Sequence, residues 1–275
     1  MTRLVFLLLV PLAGPLAAAA SQDSCKPASL LPAYAHNDYQ NPRPLLDALA
    51  LGFRGVEADV FRVGTELVVG HDRGTLRPAR TLARLYLEPL RERLRVCGYV
   101  LPDSTRFFLN VELKDADRVG FDYLLTLLRQ FEELFRAGQG GVGGAVQVTL
   151  VGWWPTPDSV AWPDYLRVQL AIEHQPARPA SNGSPVGFVS LDYGKMIKWS
   201  GRGTVPPAAE QTLAAARELA SPGAVPIRVH HVPVDEVIYE WLLSQGVTLI
   251  GTEALPRASS VLQRILANRT PVKKS

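Results

Sequence analysis

The sequence predicts an α/β protein of one domain, a (β/α)8 barrel, and three observations predict it. Short apolar or β-branched runs alternate with helical patterns along nearly the whole chain, the signature of strand–helix units around a parallel sheet. Counting the runs brings the number close to eight. The polar, chemistry-bearing residues cluster at or just past the carboxyl ends of those runs, where such a barrel gathers its loops. A length of 275 residues, 47% hydrophobic and 20% charged, suits a single core of barrel size.

The opening segment, Met1 to about Ala20, has a cation at Arg3, an apolar stretch from Leu4 to Leu12 and an Ala-rich end before Ser21. That is the three-part pattern of a signal peptide, with an uncleaved apolar anchor as the alternative. Asp23 and Ser24 ahead of Cys25 give no lipoprotein cleavage box. The domain is expected over 28–268, after a signal peptide at 1–20 and before a short tail at 269–275. Past the leader no apolar run is long enough to cross a bilayer, so the mature chain is expected to be secreted or periplasmic, with no integral span. In an oxidising compartment the two cysteines, Cys25 and Cys97, can form one disulfide; a free buried thiol at Cys97 is the other reading. The formal charge of +3 includes Arg3, Lys273 and Lys274, which leaves the body near neutral. No face interleaves Lys or Arg with aromatics, which argues against nucleic acid as a partner. The oligomeric state is left open, a monomer being the simplest.

Strands are expected near Pro32 to His36, Gly55 to Phe61, Arg106 to Glu112, Ala145 to Val151, Leu166 to Ile172, Gly187 to Asp192, Ile227 to His231 and Thr248 to Gly251. Helices are expected at Pro44 to Leu51, Thr81 to Arg95, Arg118 to Arg136, Pro206 to Ala220 and Val234 to Gln245. The third shows the buried stripe most plainly, with Phe121, Leu124, Leu125, Leu128, Phe131 and Leu134 spaced by three and four. Glu66 to Gly70 reads as an extra strand folded back on the second through Gly64-Thr65, which would return His71 towards Glu57 and Asp59.

Four short stretches at strand ends carry the chemistry: Ala35-His36-Asn37-Asp38, Val56-Glu57-Ala58-Asp59, Gly70-His71-Asp72 and Asn110-Val111-Glu112-Leu113-Lys114. Two histidines can pass a proton in and out of a reaction, three carboxylates can hold a hard divalent cation, and a lysine can meet an anion. Taken singly each has an ordinary structural explanation: a solvated strand end, a capping Asp72, an ion pair between Glu112 and Lys114. Several others stand nearby. The His230-His231 pair ends the seventh strand, where adjacent side chains should point to opposite faces. Asp192 and Lys195 follow the sixth. Trp153, Trp154 and Trp199 could form an apolar rim or simply pack. Tyr39 and Arg43 lie close enough in sequence to His36 to touch a phosphate, and His174 falls in a loop.

In this order, with the closing run Gly246-Val247-Thr248-Leu249-Ile250-Gly251-Thr252, the residues resemble the phospholipase C-like phosphodiesterase superfamily, whose best-known branch is the glycerophosphodiester phosphodiesterases. The wording Ala35-His36-Asn37-Asp38-Tyr39 with Val56-Glu57-Ala58-Asp59-Val60 and Gly70-His71-Asp72 is more similar to the altered-inheritance-of-mitochondria branch. The resemblance implies a TIM barrel and a phosphoric diester hydrolase acting on a small or lipid-derived phosphodiester. It implies a divalent metal on Glu57, Asp59 and Glu112, catalytic His36 and His71 as acid and base, and Lys114 on the phosphate. Oxygen-only ligation favours Mg2+ or Ca2+, with Mn2+ also open. Where the glycerophosphodiester branch has Arg-Gly after its first histidine and a Glu-Asn-Thr run, this chain has Asn37-Asp38 and Asn41-Pro42-Arg43-Pro44, so that substrate is one option among diesters. A lyase releasing a cyclic phosphate and a non-catalytic barrel binding a phospholipid headgroup or carbohydrate are the competing readings.

Overall fold

The computed structural model describes residues 25–26, 29–102, 105–136, 144–156, 159, 162–172, 185–221 and 224–269. The expected leader at 1–20 and His174 lie outside them. The strands are β1 (Leu31–Ala35), β2 (Phe53–Val63), β3 (Glu66–Val69), β4 (Phe107–Leu113), β5 (Val146–Val151), β6 (Leu166–Ala171), β7 (Val186–Asp192), β8 (Ile227–His230) and β9 (Leu249–Thr252). Eight of them run parallel in the order β1-β9-β8-β7-β6-β5-β4-β2, and β1 pairs again with β2 to close a TIM-like barrel. The ninth, β3, folds back antiparallel on β2, as the Gly64-Thr65 turn predicts.

Alternation along each strand divides its side chains between the helical shell and the barrel interior. Val56, Ala58 and Val60 of β2 and Leu109 and Val111 of β4 join the apolar core with the helices outside. Their neighbours Glu57, Asp59, Asn110 and Glu112 share the opposite, inward face. The helices are α1 (Leu46–Ala50), α2 (Glu88–Cys97), α3 (Arg118–Arg129), α4 (Tyr193–Met196), α5 (Pro207–Ala220), α6 (Glu236–Ser244) and α7 (Leu255–Arg269). Side-chain caps start α3, α4 and α6. Asp117 Oδ1 accepts from the Gly120 amide at 2.6 Å, and Asp235 Oδ1 accepts from Val237 and Ile238 at 2.9 and 3.1 Å. Each such cap stabilises by about 1 kcal/mol.

Three local differences from expectation have physical causes. The helix expected through Arg136 ends at Arg129, because the chain turns at Phe131 to bury that ring, over which Arg91 lies at 4.4 Å from the centroid. The helix expected from Thr81 begins as a π-helical turn, Ala83–Leu87, that runs into α2. The C-terminal α7 was not expected. Its stripe Leu255, Ala258, Leu262 and Ile265 is buried, but small and polar residues between those positions dilute the pattern. Cys25 and Cys97 are joined in a disulfide with their α-carbons 5.7 Å apart, tying the start of the described chain to the end of α2. Among the described residues no helix is long and apolar enough to cross a membrane.

Candidate active site

Parallel register between β2 and β4 sets Asp59 beside Glu112 and Glu57 beside Asn110. Two residues apart on one strand, Glu57 and Asp59 point the same way, and Glu112 joins them from the neighbour. One carboxylate oxygen from each of the three lies within 4.8 Å of the others. Strand pairing thus gathers the three carboxylates that the resemblance points to.

Each carboxylate is held differently. Glu57 is buried, and its Oε2 accepts from the Tyr34 hydroxyl at 2.8 Å and from Arg228 Nη2 at 2.5 Å. Its Oε1 lies 3.7 Å from His36 Nε2. Asp59 Oδ2 accepts from the Tyr39 hydroxyl at 2.8 Å and lies 3.1 Å from Lys114 Nζ, while its Oδ1 is buried without a hydrogen-bond partner. Glu112, half-buried at the end of β4, has Oε1 at 3.3 Å from Lys114 Nζ. Burial, then the Asp59 and Glu112 carboxylates, push Glu57 well above the usual carboxylate range. Burial and Asp59 push Glu112 up as well, against the pull of Lys114. Burial acts to lower Lys114, but Asp59 and Glu112 outweigh it and hold the ammonium above its ordinary value.

These features fit a hard divalent cation. The donors are all oxygens, and the bare Asp59 Oδ1 is a buried acceptor that ordinarily requires a partner.

His36 follows β1. Its Nδ1 lies 3.1 Å from Glu253 Oε1, which also accepts from Asn37 Nδ2 at 3.0 Å. With Glu253 on Nδ1, the proton sits on that nitrogen and Nε2 faces the carboxylates with its lone pair. Burial first, then the nearby His231, lower the His36 pKa, and Glu253 works the other way. His71 is placed differently. The hydrogen bond from Gly70 N to Asp59 O, 3.0 Å, does return the turn to β2, yet the ring stands exposed on the rim with Nδ1 3.4 Å from Asp72 Oδ1. It is near enough to Glu112 to favour that group's charged form.

Tyr34, Gln169, Arg228 and Glu253 escaped sequence reasoning. Arg228 is fully buried inside the barrel, donates to Gln169 Oε1 at 3.0 Å as well as to Glu57, and lies 4.2 Å from the Tyr34 ring centroid. The signal was present: a lone cation between Ile227 and Val229, in a strand whose alternate positions are apolar. Gly251 makes room for this group, since a Cβ there would come within 2.4 Å of Tyr34 Cε1. Of the other residues singled out, Tyr39 contacts Asp59, Arg43 pairs instead with Asp47 at 2.7 Å, and Trp199 is core, packed edge-on to Trp241 at 5.4 Å. Trp153 and Trp154 are half-buried against that core.

Residues 23–99 match the AIM6-like phosphodiesterase domain, a span that includes His36, Glu57, Asp59 and His71 and stops before Glu112. Altered inheritance of mitochondria protein 6 of Eremothecium gossypii is 34% identical over 152 residues, covering 47% of this chain and 39% of that protein. The Saccharomyces cerevisiae (strain S288c) protein of that name is 41% identical over 122 residues, covering 39% of this chain and 31% of that protein. The matches thus span about two fifths or less of these relatives' length. Among solved structures, a glycerophosphodiester phosphodiesterase from Parabacteroides distasonis superposes with a TM-score of 0.54 at 13% identity, over 87% of this chain and 98% of that one. A tryptophan synthase chain from Pyrococcus furiosus gives 0.51 at 14%, over 86% and 97%. At such identities the likeness is one of fold alone. Over residues 23–99 the chain is similar in sequence to the AIM6-like phosphodiesterases.

Proposed function

We propose that this protein is a metal-dependent phosphoric diester hydrolase acting on a small or lipid-derived phosphodiester, of glycerophosphodiester or lysophospholipid type. The observation that carries the reading is the carboxylate trio with one bare, buried oxygen on Asp59, flanked by His36 and Lys114. A divalent cation, Mg2+ or Ca2+ by the all-oxygen donor set, would be held by Glu57, Asp59 and Glu112 and would offset phosphoryl charge. Lys114 adds a second positive charge for the same anion, already raised and oriented by Asp59 and Glu112. His36 is the base. Burial keeps it neutral, Glu253 fixes its tautomer, and Nε2 is left to take a proton from the attacking hydroxyl. His71, on the rim beside Glu112, is the acid that protonates the departing alkoxide. Export of the chain belongs to the same proposal, supported by the leader pattern and by a disulfide that suits an oxidising compartment.

The test is turnover of bis(p-nitrophenyl) phosphate and of glycerophosphodiesters, with Mg2+ or Ca2+ and after chelation. The expected outcome is metal-dependent release, reduced about 10²–10⁴-fold in His36→Ala and abolished in Asp59→Asn. Full turnover after exhaustive chelation, or in folded Asp59→Asn, refutes the reading. Phosphorus NMR of the product separates hydrolysis from a lyase, which would accumulate a cyclic phosphate.

A further inference from the structure

A second group of metal-ligating side chains stands across His36 from the carboxylate trio. Asp192 ends β7, His230 ends β8, and the two are register partners. His231 is the next residue, and continued strand geometry would send its side chain away from His230. Instead its backbone turns left-handed, with φ 54°, a conformation unusual for a residue bearing a Cβ. The turn brings both imidazoles to one carboxylate. Asp192 Oδ2 lies 3.2 Å from His231 Nδ1 and 3.9 Å from His230 Nε2.

The surroundings orient these three atoms. Asp192 is buried, and its Oδ1 accepts from the Lys195 amide at 3.2 Å, which leaves Oδ2 turned to the histidines. Ser190, two residues back on β7, has Oγ 3.4 Å from His230 Nδ1. A proton on that nitrogen is given to Ser190, leaving Nε2 bare on the side of Asp192, which is how outer contacts commonly set a ligating imidazole. His231 is exposed, so the group opens to solvent. The Lys195 ammonium, 3.5 Å from Oδ2, sits on a side chain that is 66% exposed and free to swing away.

We propose that Asp192, His230 and His231 bind a second divalent cation, of the borderline class that includes Zn2+ and Co2+. Two imidazole nitrogens with one carboxylate oxygen select such an ion over Mg2+ or Ca2+. Two ligands about 2.1 Å from one ion at a tetrahedral angle lie about 3.4 Å apart, and the separations of 3.2 and 3.9 Å bracket that value. This site is separate from the carboxylate trio. His36 stands between them, its ring centroid 4.8 Å from His231 and 5.7 Å from His230, and its own nitrogens are turned to Glu253 and Glu57. With three protein ligands, the ion keeps open positions for water or a substrate oxygen.

The test reads metal binding directly, so its outcome is independent of whether the protein cleaves diesters. Full-length protein is stripped with chelator, given excess Mg2+, and titrated with Zn2+ by calorimetry and with Co2+ by visible absorption. One Zn2+ per chain is expected. Affinity should fall at least 100-fold in Asp192→Asn and in His231→Asn, the latter chosen because Asn tolerates the left-handed backbone, and should be unchanged in Glu112→Gln. X-ray absorption of the Zn2+-loaded wild type should count two imidazoles, a measurement that needs no variant to fold. Unchanged affinity in Asp192→Asn and His231→Asn, loss in Glu112→Gln, or fewer than two imidazoles on the metal overturns the proposal.

Discussion

Replacing Arg228 with Met should destabilise this protein by about 3–5 kcal/mol, the cost of breaking a buried ion pair from one side. Arg228 is 1% exposed, and its contacts with Glu57 on β2, Gln169 on β6 and Tyr34 on β1 join it to three strands besides its own β8. Burial pulls the guanidinium down to about 9, still cationic at neutral pH. Met fills similar volume but donates nothing. Glu57 would keep the Tyr34 hydroxyl on Oε2 and lose its countercharge, and Gln169 Oε1 would lose its donor, an orphaned acceptor worth about 1–3 kcal/mol. At roughly 2–4 °C per kcal/mol for a domain of this size, Tm should drop by roughly 6–20 °C. The deficit has a defined pH dependence. Glu57 is already held above its unfolded value and would rise further, so the fold takes up a proton there that the unfolded chain does not. Stability is then lost as pH climbs above the ordinary carboxylate range, and the variant's deficit is smaller at pH 5 than at pH 7.5. The assay is guanidinium unfolding followed by tryptophan fluorescence, with the disulfide intact and metal chelated, on both single variants and on Glu57→Gln/Arg228→Met. The double variant should recover at least about 2 kcal/mol relative to the sum of the singles. A loss under about 1 kcal/mol at pH 7.5, or strict additivity, would refute the reasoning.

Three further outcomes follow from other groups. Glu253 raises His36, so Glu253→Gln should lower the His36 pKa and shift the acid limb of the kcat/KM profile to lower pH, whereas Glu253→Ala should also cut kcat about 10-fold by freeing the tautomer; an unmoved limb in the Gln variant contradicts this role. Burial raises the Asp38 carboxyl to about 6, above its unfolded value, so the fold loses up to about 3 kcal/mol as pH rises through the window from about 4 to 6. Asp38→Asn keeps an acceptor for the Leu45 amide and does not titrate, so its stability relative to wild type should climb across that window, and a flat difference from pH 4 to 7 would be inconsistent. Cys97→Ser opens a cross-link between residues 72 apart, which chain entropy values at about 4 kcal/mol; denaturant midpoints equal to those of wild type would show that the unfolded chain is not what the disulfide restrains.

The barrel was legible because its outward strand positions are apolar and its helices carry stripes at spacings of three and four. Val56, Ala58 and Val60 read as a buried run, and Phe121 to Leu128 as a buried helix face, without reference to anything distant in the chain. Where such patterns thin, prediction failed for the same physical reason. The stripe of α7 rests on Ala258 and Ser259 among its larger residues, and both are fully packed although neither looks hydrophobic enough to announce a core position. The early end of α3 depends on Phe131 and Arg91, two residues that meet only in the folded chain.

The site divides along the same line. Glu57, Asp59, Glu112 and Lys114 were legible because parallel pairing of β2 with β4 converts a spacing of two on each strand into proximity. Arg228 was not, because its meaning lies in Glu57, 171 residues away, and in the cross-barrel contact no local pattern encodes. His231 shows why the rule that failed was still the right one to apply. Adjacent strand residues do diverge, and His230 and His231 converge on Asp192 only because the strand ends at His230 and the next backbone step is left-handed. That conformation disfavours any residue with a Cβ, and glycine would adopt it more readily. A histidine held there carries backbone strain, and its ring is returned to a buried carboxylate beside His230. The Asp192 carboxylate, 3.2 Å from His231 Nδ1, is the contact that holds the ring there, and the proposed ion would add a second.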